Sequence, residues 1–476
     1  MSQDHPLDYL FHARSIAVPG ASTGMGPGSA FVTSILEMGY KGDLYPVNPK
    51  ADEIQGLKCY PRLRDVPGEV DYVISCVPVS AVPEMIEDCQ GKNVKAIHFF
   101  TAGFSETGDS GRADQETQVL ERVKELGMRV IGPNCMGLYS PAAGLSMMPG
   151  LPKEPGNVGM ISQSGANAGD ACRTGGIRGL RYSKVISYGN AADLDESDFL
   201  DLLAHDADTE IITAYVEGVR DGGKFLSTLR SASARKPVII LKGGRTEAGG
   251  RATVSHTGSL AGAITIFDAA CRQGGAIRVD SIDELNDCAV AFRYLDHLAG
   301  PRVGIIGVGG GNSVLATDEV AAVGLEVPHL PEKTQAALGE FTPVAGTSVR
   351  NPVDTNVGFG PEGSKLMQET LRLVAEAPNI DIIMLQAAIG WGPGRGAADQ
   401  AEHAKQIAAS TADAIASFGK PVIMLVRPPI TTEVMAATVA FREEAAARGL
   451  AVFGSVRNAA LALRRRLDWQ AQREEN

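Results

Sequence analysis

Short runs of apolar, often β-branched residues alternate along the chain with longer stretches whose apolar positions recur at helical spacing. That alternation is the signature of parallel sheets assembled from strand–helix–strand units. In the first third, SIAVPG (15–20) reads as a strand entering a Gly-rich turn, and GSAFVTSILEMGY as the helix after it. The strands GDLYPVNP, VDYVISCVP, VKAIHFFTAG and RVIGPNC follow, with a helix from Pro83 and an acidic helix around 117–126 between them. The segment SPAAGLSMMPGLPKEPG (140–156) is predicted as a linker, because a Gly/Pro/Met-rich stretch supplies turns and packs poorly.

A second domain begins at NVGMISQSG and a third at PRVGIIGVGGGNS, and the two read as copies. VGMISQSGA pairs with VGIIGVGGG, EIITAYVEGV with DIIMLQAAIG, KPVIILKGG with KPVIMLVRP, and AIRVDSIDEL with AVFGSVRNAA, in the same order. Such a duplication fixes architecture before any residue is assigned a role. It also separates chemistry from scaffolding. Glu217 of the first copy aligns with Ala388 of the second, and the His-bearing loop after Lys242 has no His counterpart after Val426. The fold class is therefore α/β in three domains: 1–140, 141–298 and 299–476, with reactive groups in the middle one.

Composition narrows the function. The balance of 44 basic and 56 acidic residues gives a net charge of −12, which disfavours a nucleic-acid partner. The 7 Cys are odd in number and never spaced Cys-x-x-Cys, against a disulfide framework or a zinc ribbon. No basic segment leads into an apolar one at the N-terminus, and no apolar run reaches the length of a membrane span. A cytoplasmic location with no membrane partner is the expectation.

Of 8 His, His256 has the unusual setting. It lies in LKGGRTEAGGRATVSHTGSLAG, where Gly residues let a loop swing and Arg245 and Arg251 are placed to neutralise an anion. A strand, a mobile loop and Ser-His-Thr-Gly opening a helix would expose an imidazole at the carboxyl edge of a parallel sheet, where such folds bind ligands. Read by itself, the segment is equally compatible with a Gly-rich loop whose His is incidental. ISQSGANAGD places Ser164 and Gly165 at a helix start, which is an anion site, or simply an N-cap through Ser164. Glu217, ending the strand of AYVEGV, is a surface carboxylate unless the imidazole lies opposite, where it would orient the ring. His98 reads as a satisfied core imidazole and Cys135 as a small buried residue rather than a nucleophile. In VPGASTGMGPGS the strict G-x-G-x-x-G spacing is not met, and Asn48 and Lys50 stand where a nicotinamide-binding domain would carry an acid, which fits a phosphorylated ribose or pyrophosphate better.

Together YPVNPKADEIQGLKCYPRLRDVPGEVD, GPNCMG, ISQSGA, SYGNAADLDESDFL, YVEGV, SHTGSLAG and NPVD, in this order, resemble the α subunit of the nucleoside-diphosphate-forming acyl-CoA synthetases, relatives of succinyl-CoA synthetase. The resemblance implies a CoA-binding Rossmann-like domain followed by two flavodoxin-like domains. It implies an acid–thiol ligase, acid + CoA + ATP to acyl-CoA + ADP + phosphate, running through an acyl phosphate and a phosphohistidine. By the same resemblance His256 matches the phosphorylated His and Glu217 its supporting carboxylate. Ser164 and Gly165 match the phosphate-binding helix start, and Gly20, Ser22, Thr23, Lys50 and Thr101 the contacts to CoA. Pro19 stands where the family has a β-branched residue. The resemblance further implies that ATP or ADP and Mg²⁺ enter through a separate ATP-grasp β subunit in an α₂β₂ assembly, and no metal site is assigned to this chain. Two other readings remain: a CoA-sensing protein with a vestigial His loop, and a nicotinamide-dependent oxidoreductase, against which the missing acid near position 48 counts.

Overall fold

The computed structural model describes residues 5–257, 263–307, 309–343, 345–355, 363–387, 389, 397–416, 418–428 and 431–474. The chain divides into two compact units, Met1–Arg173 with Arg181–Leu285, and Thr174–Leu180 with Asn286–Asn476.

The first unit holds two sheets. β1 (Ser15–Pro19), α1 (Pro27–Met38) and β2 (Asp43–Val47) open it, followed by a hairpin of β3 (Glu53–Ile54) and β4 (Leu57–Lys58). β5 (Tyr72–Ser75), α2 (Val82–Asp88), β6 (Ala96–Phe99), α3 (Ser110–Glu125) and β7 (Arg129–Ile131) complete a parallel sheet ordered β2-β1-β5-β6-β7. Tyr60 adds a single parallel bridge to Val47, so the reduced third strand restores the Rossmann order 3-2-1-4-5-6. β1 is sealed on both faces, with Ile16, Ala17 and Val18 fully buried, which is why it reads as an unbroken apolar run. Pro19 is tolerated as the last residue of β1: its carbonyl still accepts from Cys76 N–H at 2.8 Å, and only one ladder donor is missing.

The second sheet comprises β8 (Gly137–Tyr139), β9 (Pro155–Ser162), β10 (Tyr182–Ser187), β11 (Ile211–Val216), β12 (Val238–Lys242) and β13 (Ile277–Val279), ordered β13-β12-β11-β9-β10-β8. Its connecting helices are α4 (Gly165–Ile177), α5 (Glu196–His205), α6 (Gly222–Arg235), α7 (Glu247–Thr257) and α8 (Ile264–Gly274). All pairings are parallel except β8 on β10. The five parallel strands take the flavodoxin-like order 2-1-3-4-5. The stretch predicted as a linker is packed instead. Leu145, Met147 and Leu151 are buried, Tyr139 OH donates to Pro152 O at 2.6 Å, and Ser140 Oγ donates to Ser183 O at 2.8 Å. Composition marked turns correctly there, but its Met and Leu side chains found apolar partners.

The second unit begins within α9 (Ile282–Tyr294) and carries β14 (Val303–Ile306), α10 (Gly310–Ala321), α11 (Glu332–Gly339), α12 (Gly363–Glu376), β15 (Ile382–Gln386), α13 (Ala397–Ile415), β16 (Val422–Leu425), α14 (Thr432–Ala447), β17 (Ala451–Phe453) and α15 (Val456–Glu474). The sheet runs β14-β15-β16-β17. Parallel bridges Arg302–Glu326 and Ile306–Val353 stand in for a second strand beside β14. The order is again 2-1-3-4-5, so the strands paired by sequence, β9 with β14, β11 with β15, β12 with β16 and β13 with β17, occupy matching places in the two sheets.

Candidate active site

The first βα turn of the chain is built by two glycines eight residues apart rather than by an evenly spaced triplet. Gly20 has φ +90°, and a Cβ there would lie 2.6 Å from the Cys76 carbonyl. A Cβ at Gly28 would lie 2.6 Å from the Gly20 carbonyl oxygen, so only glycine lets α1 start against the turn. A Cβ at Gly24, by contrast, would meet nothing within 4 Å among the described residues. The turn is locked from inside: Ser22 N–H donates to Ser29 Oγ at 3.1 Å, and Asn48 Nδ2 donates to Ala21 O at 2.5 Å. Asn48 Oδ1 in turn accepts from Lys50 N–H at 2.8 Å. The outer side, with Thr23, Met25 and Lys50, is exposed. Asn48, noted in the sequence only as a missing acid, therefore ties the end of β2 to the Gly-rich turn.

The segments after β5, β6 and β7 and the first turn of α4 line an open cavity of about 470 Å³. Its walls include Val77, Phe100, Thr101, Cys135 and Met136 on one side and Gln163 to Ala166 on the other. The Thr101 hydroxyl is committed to the backbone, donating to Val77 O at 2.8 Å, so it shapes the cavity more than it offers a free donor. Burial pushes the Cys76 thiol up to about 12, and burial likewise raises Cys135, so neither is a thiolate. His98 is fully buried, with its pKa pushed down to about 4 by burial. It is only half satisfied: Nε2 donates to Cys135 O at 2.9 Å, while Nδ1 has no hydrogen-bond partner among the described residues.

Ser164 is the N-cap of α4, its Oγ accepting from Asn167 N–H at 3.3 Å and its carbonyl from Ala168 N–H at 3.0 Å. Capping leaves the Gly165 and Ala166 N–H groups without partners among the described residues, at the positive end of the helix dipole and on the cavity wall. The N-cap and the anion site are thus one arrangement. Glu217, buried, lies at the neighbouring strand end, its Oε1 accepting from Tyr215 OH at 3.0 Å. Gln163 joins the two turns: its Oε1 accepts from Glu217 N–H and, at 2.9 Å, from Gly218 N–H. Beneath them the buried Lys242 donates to Glu217 O at 2.6 Å and to Gly243 O, its pKa pushed down to about 8 by burial. Its sequence signal was a lone cation ending the apolar run VIILK.

A polar chain links this edge to the first sheet. Glu106, which accepts from Gly103 and Phe104 N–H, also accepts from Asn190 Nδ2 at 2.8 Å, and Arg220 Nη2 donates to Asn190 O at 2.9 Å. The segment predicted as a mobile loop before His256 is instead largely the helix α7. Thr246 starts it, with Oγ1 accepting from Gly249 N–H at 3.0 Å, and Glu247 sits in the first turn with Arg251 bonded to it at 2.7 Å. Those local bonds outweigh the helix cost of Gly249 and Gly250. Arg245 pairs with Asp280, so both arginines already have carboxylate partners. His256 lies in the last turn of α7, and its side chain falls outside the described residues, as do Gly258 to Gly262. The helix packs against the one-turn segment Ser105–Thr107 beside Glu106.

Two family models match the chain: a CoA binding domain over residues 14–141 and a succinyl-CoA ligase like flavodoxin domain over residues 155–292. The acetate–CoA ligase (ADP-forming) II subunit alpha of Pyrococcus furiosus is 39% identical over 421 residues, covering 88% of this chain and 89% of that one. The acetate–CoA ligase (ADP-forming) II of Archaeoglobus fulgidus is 37% identical over 79% of this chain, which spans only 56% of that protein. Among solved structures, the dinucleotide forming acetyl-coenzyme A synthetase 1 of Ca. Korarchaeum cryptofilum, in complex with phosphate and ADP, matches with a TM-score of 0.80 at 32% identity. That match covers 100% of this chain and 98% of that one.

Proposed function

This chain belongs to the ADP-forming acetate–CoA ligase α subunits, within the succinyl-CoA synthetase superfamily, and from that premise we infer that it supplies the acyl-transfer half of the reaction acid + CoA + ATP ⇌ acyl-CoA + ADP + phosphate. The supporting observation is the cavity that brings the strand ends of the CoA-binding sheet to Gln163 and to the Gly165 and Ala166 amides of α4, which have no partners among the described residues.

The residues present fit CoA as substrate. The turn around Gly24 is open on its outer side, and Lys50 is exposed on the segment Asn48 ties to it. In this reading Gly20, Ser22, Thr23, Lys50 and Thr101 seat CoA, with its thioester directed into the cavity. Phosphate rests on the Gly165 and Ala166 amides, capped by Ser164, where N–H dipoles neutralise its charge. Its oxygen attacks the thioester carbonyl, CoA leaves as the thiol, and an acyl phosphate remains. His256 takes the phosphoryl group and releases the carboxylate, with Glu217 holding the imidazole in its basic form. The α7 segment then presents the phosphohistidine to ADP. The nucleotide and Mg²⁺ belong to an ATP-grasp β subunit in an α₂β₂ cytoplasmic assembly. Support for a partner comes from the relatives named as a subunit alpha, and this chain spans about half of the longer relatives it matches.

The test is acid-labile labelling. The chain incubated with acyl-CoA and radiolabelled phosphate is expected to acquire label that His256→Asn does not. Equal turnover by His256→Asn and the parent, each with the complementing β subunit, would overturn the reading.

A further inference from the structure

Gln163 sits between the last residue of β9 and the cap of α4 and is 4% exposed. Its backbone N–H donates to Tyr215 O at 3.0 Å. Its side-chain Oε1 takes two backbone N–H groups, from Glu217 and, at 2.9 Å, from Gly218. Only a carbonyl oxygen can accept both, so the amide cannot be flipped, and its two ends are assigned by chemistry. The Nε2 end has no hydrogen-bond partner among the described residues, and Gln163 lines the cavity together with Gly165 and Ala166. A primary amide locked at one end, with two free N–H donors at the other, is an oriented donor aimed at whatever occupies the cavity.

We propose that Gln163 is a further catalytic residue, whose Nε2–H group binds the acyl oxygen as its negative charge develops. This rests on the reaction proposed above. A phosphate oxygen lone pair forms the new O–C bond, and the C=O π pair moves onto the acyl oxygen beside Nε2. The oxyanion then collapses, the C–S pair leaves with sulfur, and the thiolate takes the proton of the hydrogen phosphate. The products are acyl phosphate and CoA thiol, with atoms and charge balanced. The Gly165 and Ala166 amides serve the phosphate, and Gln163 serves the carbonyl. Because Oε1 is clamped, the donor needs no reorganisation during the step.

Gln163→Glu separates the two ends, since a carboxylate still accepts from Glu217 and Gly218 but donates nothing. Gln163→Met removes both without adding charge. Each variant is assayed with the nucleotide-bearing subunit present. Loss of one such donor lowers kcat by about 10²-fold or more, with KM for acyl-CoA little changed, because the bond exists only in the transition state. Phosphoenzyme formation from ATP, which involves no acyl carbonyl, is expected to stay within about threefold of the parent. Acyl transfer within about threefold of the parent in both variants would overturn the proposal, as would equal loss of phosphoenzyme formation and acyl transfer, which marks a purely structural residue. A parent chain that forms no phosphoenzyme from ATP would instead refute the underlying reaction.

Discussion

Replacing Glu196 by Gln tests whether burial governs the loop edge of the second sheet. Glu196 is the first residue of α5, wholly buried, and among the described residues neither carboxylate oxygen accepts a well-formed hydrogen bond. Burial and the neighbouring Asp195 push its pKa from 4.5 up to about 7, while the amides of Glu196 and Arg220 and the Lys224 ammonium hold it down only in part. Lys224 is itself committed to Asp195 and Asp198 at 2.8–3.0 Å. A carboxyl raised in the fold contributes stability that is complete below 4.5 and lost as pH rises through about 7. The full span is worth ~3 kcal/mol, and ~2 kcal/mol of it falls between about pH 5.5 and about pH 8.5. Urea unfolding of parent and Glu196→Gln at those two pH values should show the variant gaining that amount on the parent at the higher pH. An identical gap at both values would refute the argument, because it would mean that Glu196 is already ionised, and solvated, in the fold.

Gly28→Ala should cost ~2 kcal/mol or more in thermal or urea unfolding, since its Cβ meets the Gly20 and Ala21 backbone at 2.6–2.7 Å. Gly24→Ala, with nothing within 4 Å, should stay within about 0.5 kcal/mol of the parent. Lys242→Met should slow turnover by freeing the carbonyls of Glu217 and Gly243. With a folded pKa near 8 against 10.5, Lys242 contributes stability that is lost as pH falls through about 8. The variant should therefore gain on the parent as unfolding is measured from about pH 10.5 down to about pH 7, and no such gain would mean that the ammonium is hydrated in the fold.

The sequence by itself carried the strand–helix alternation, the duplicated flavodoxin-like sheets, and the residue types that crowd one edge of the middle domain. Those features are local: buried parallel strands demand continuous apolar runs, and strand-to-helix turns demand glycine and capping residues, so composition and spacing report them directly. What only the tertiary structure decided is pairing at a distance. Nothing local says that Gln163 receives the amides of Glu217 and Gly218, because that contact exists only where sheet order sets β11 beside β9 and skips β10. The link from Asn190 to Glu106 and the packing of the 140–156 stretch are of the same kind. Helix α7 is illegible in the sequence for another reason: propensity makes its glycines a loop, while the Thr246 cap and the Glu247–Arg251 pair, with packing on Ser105–Thr107, tip a small balance the other way.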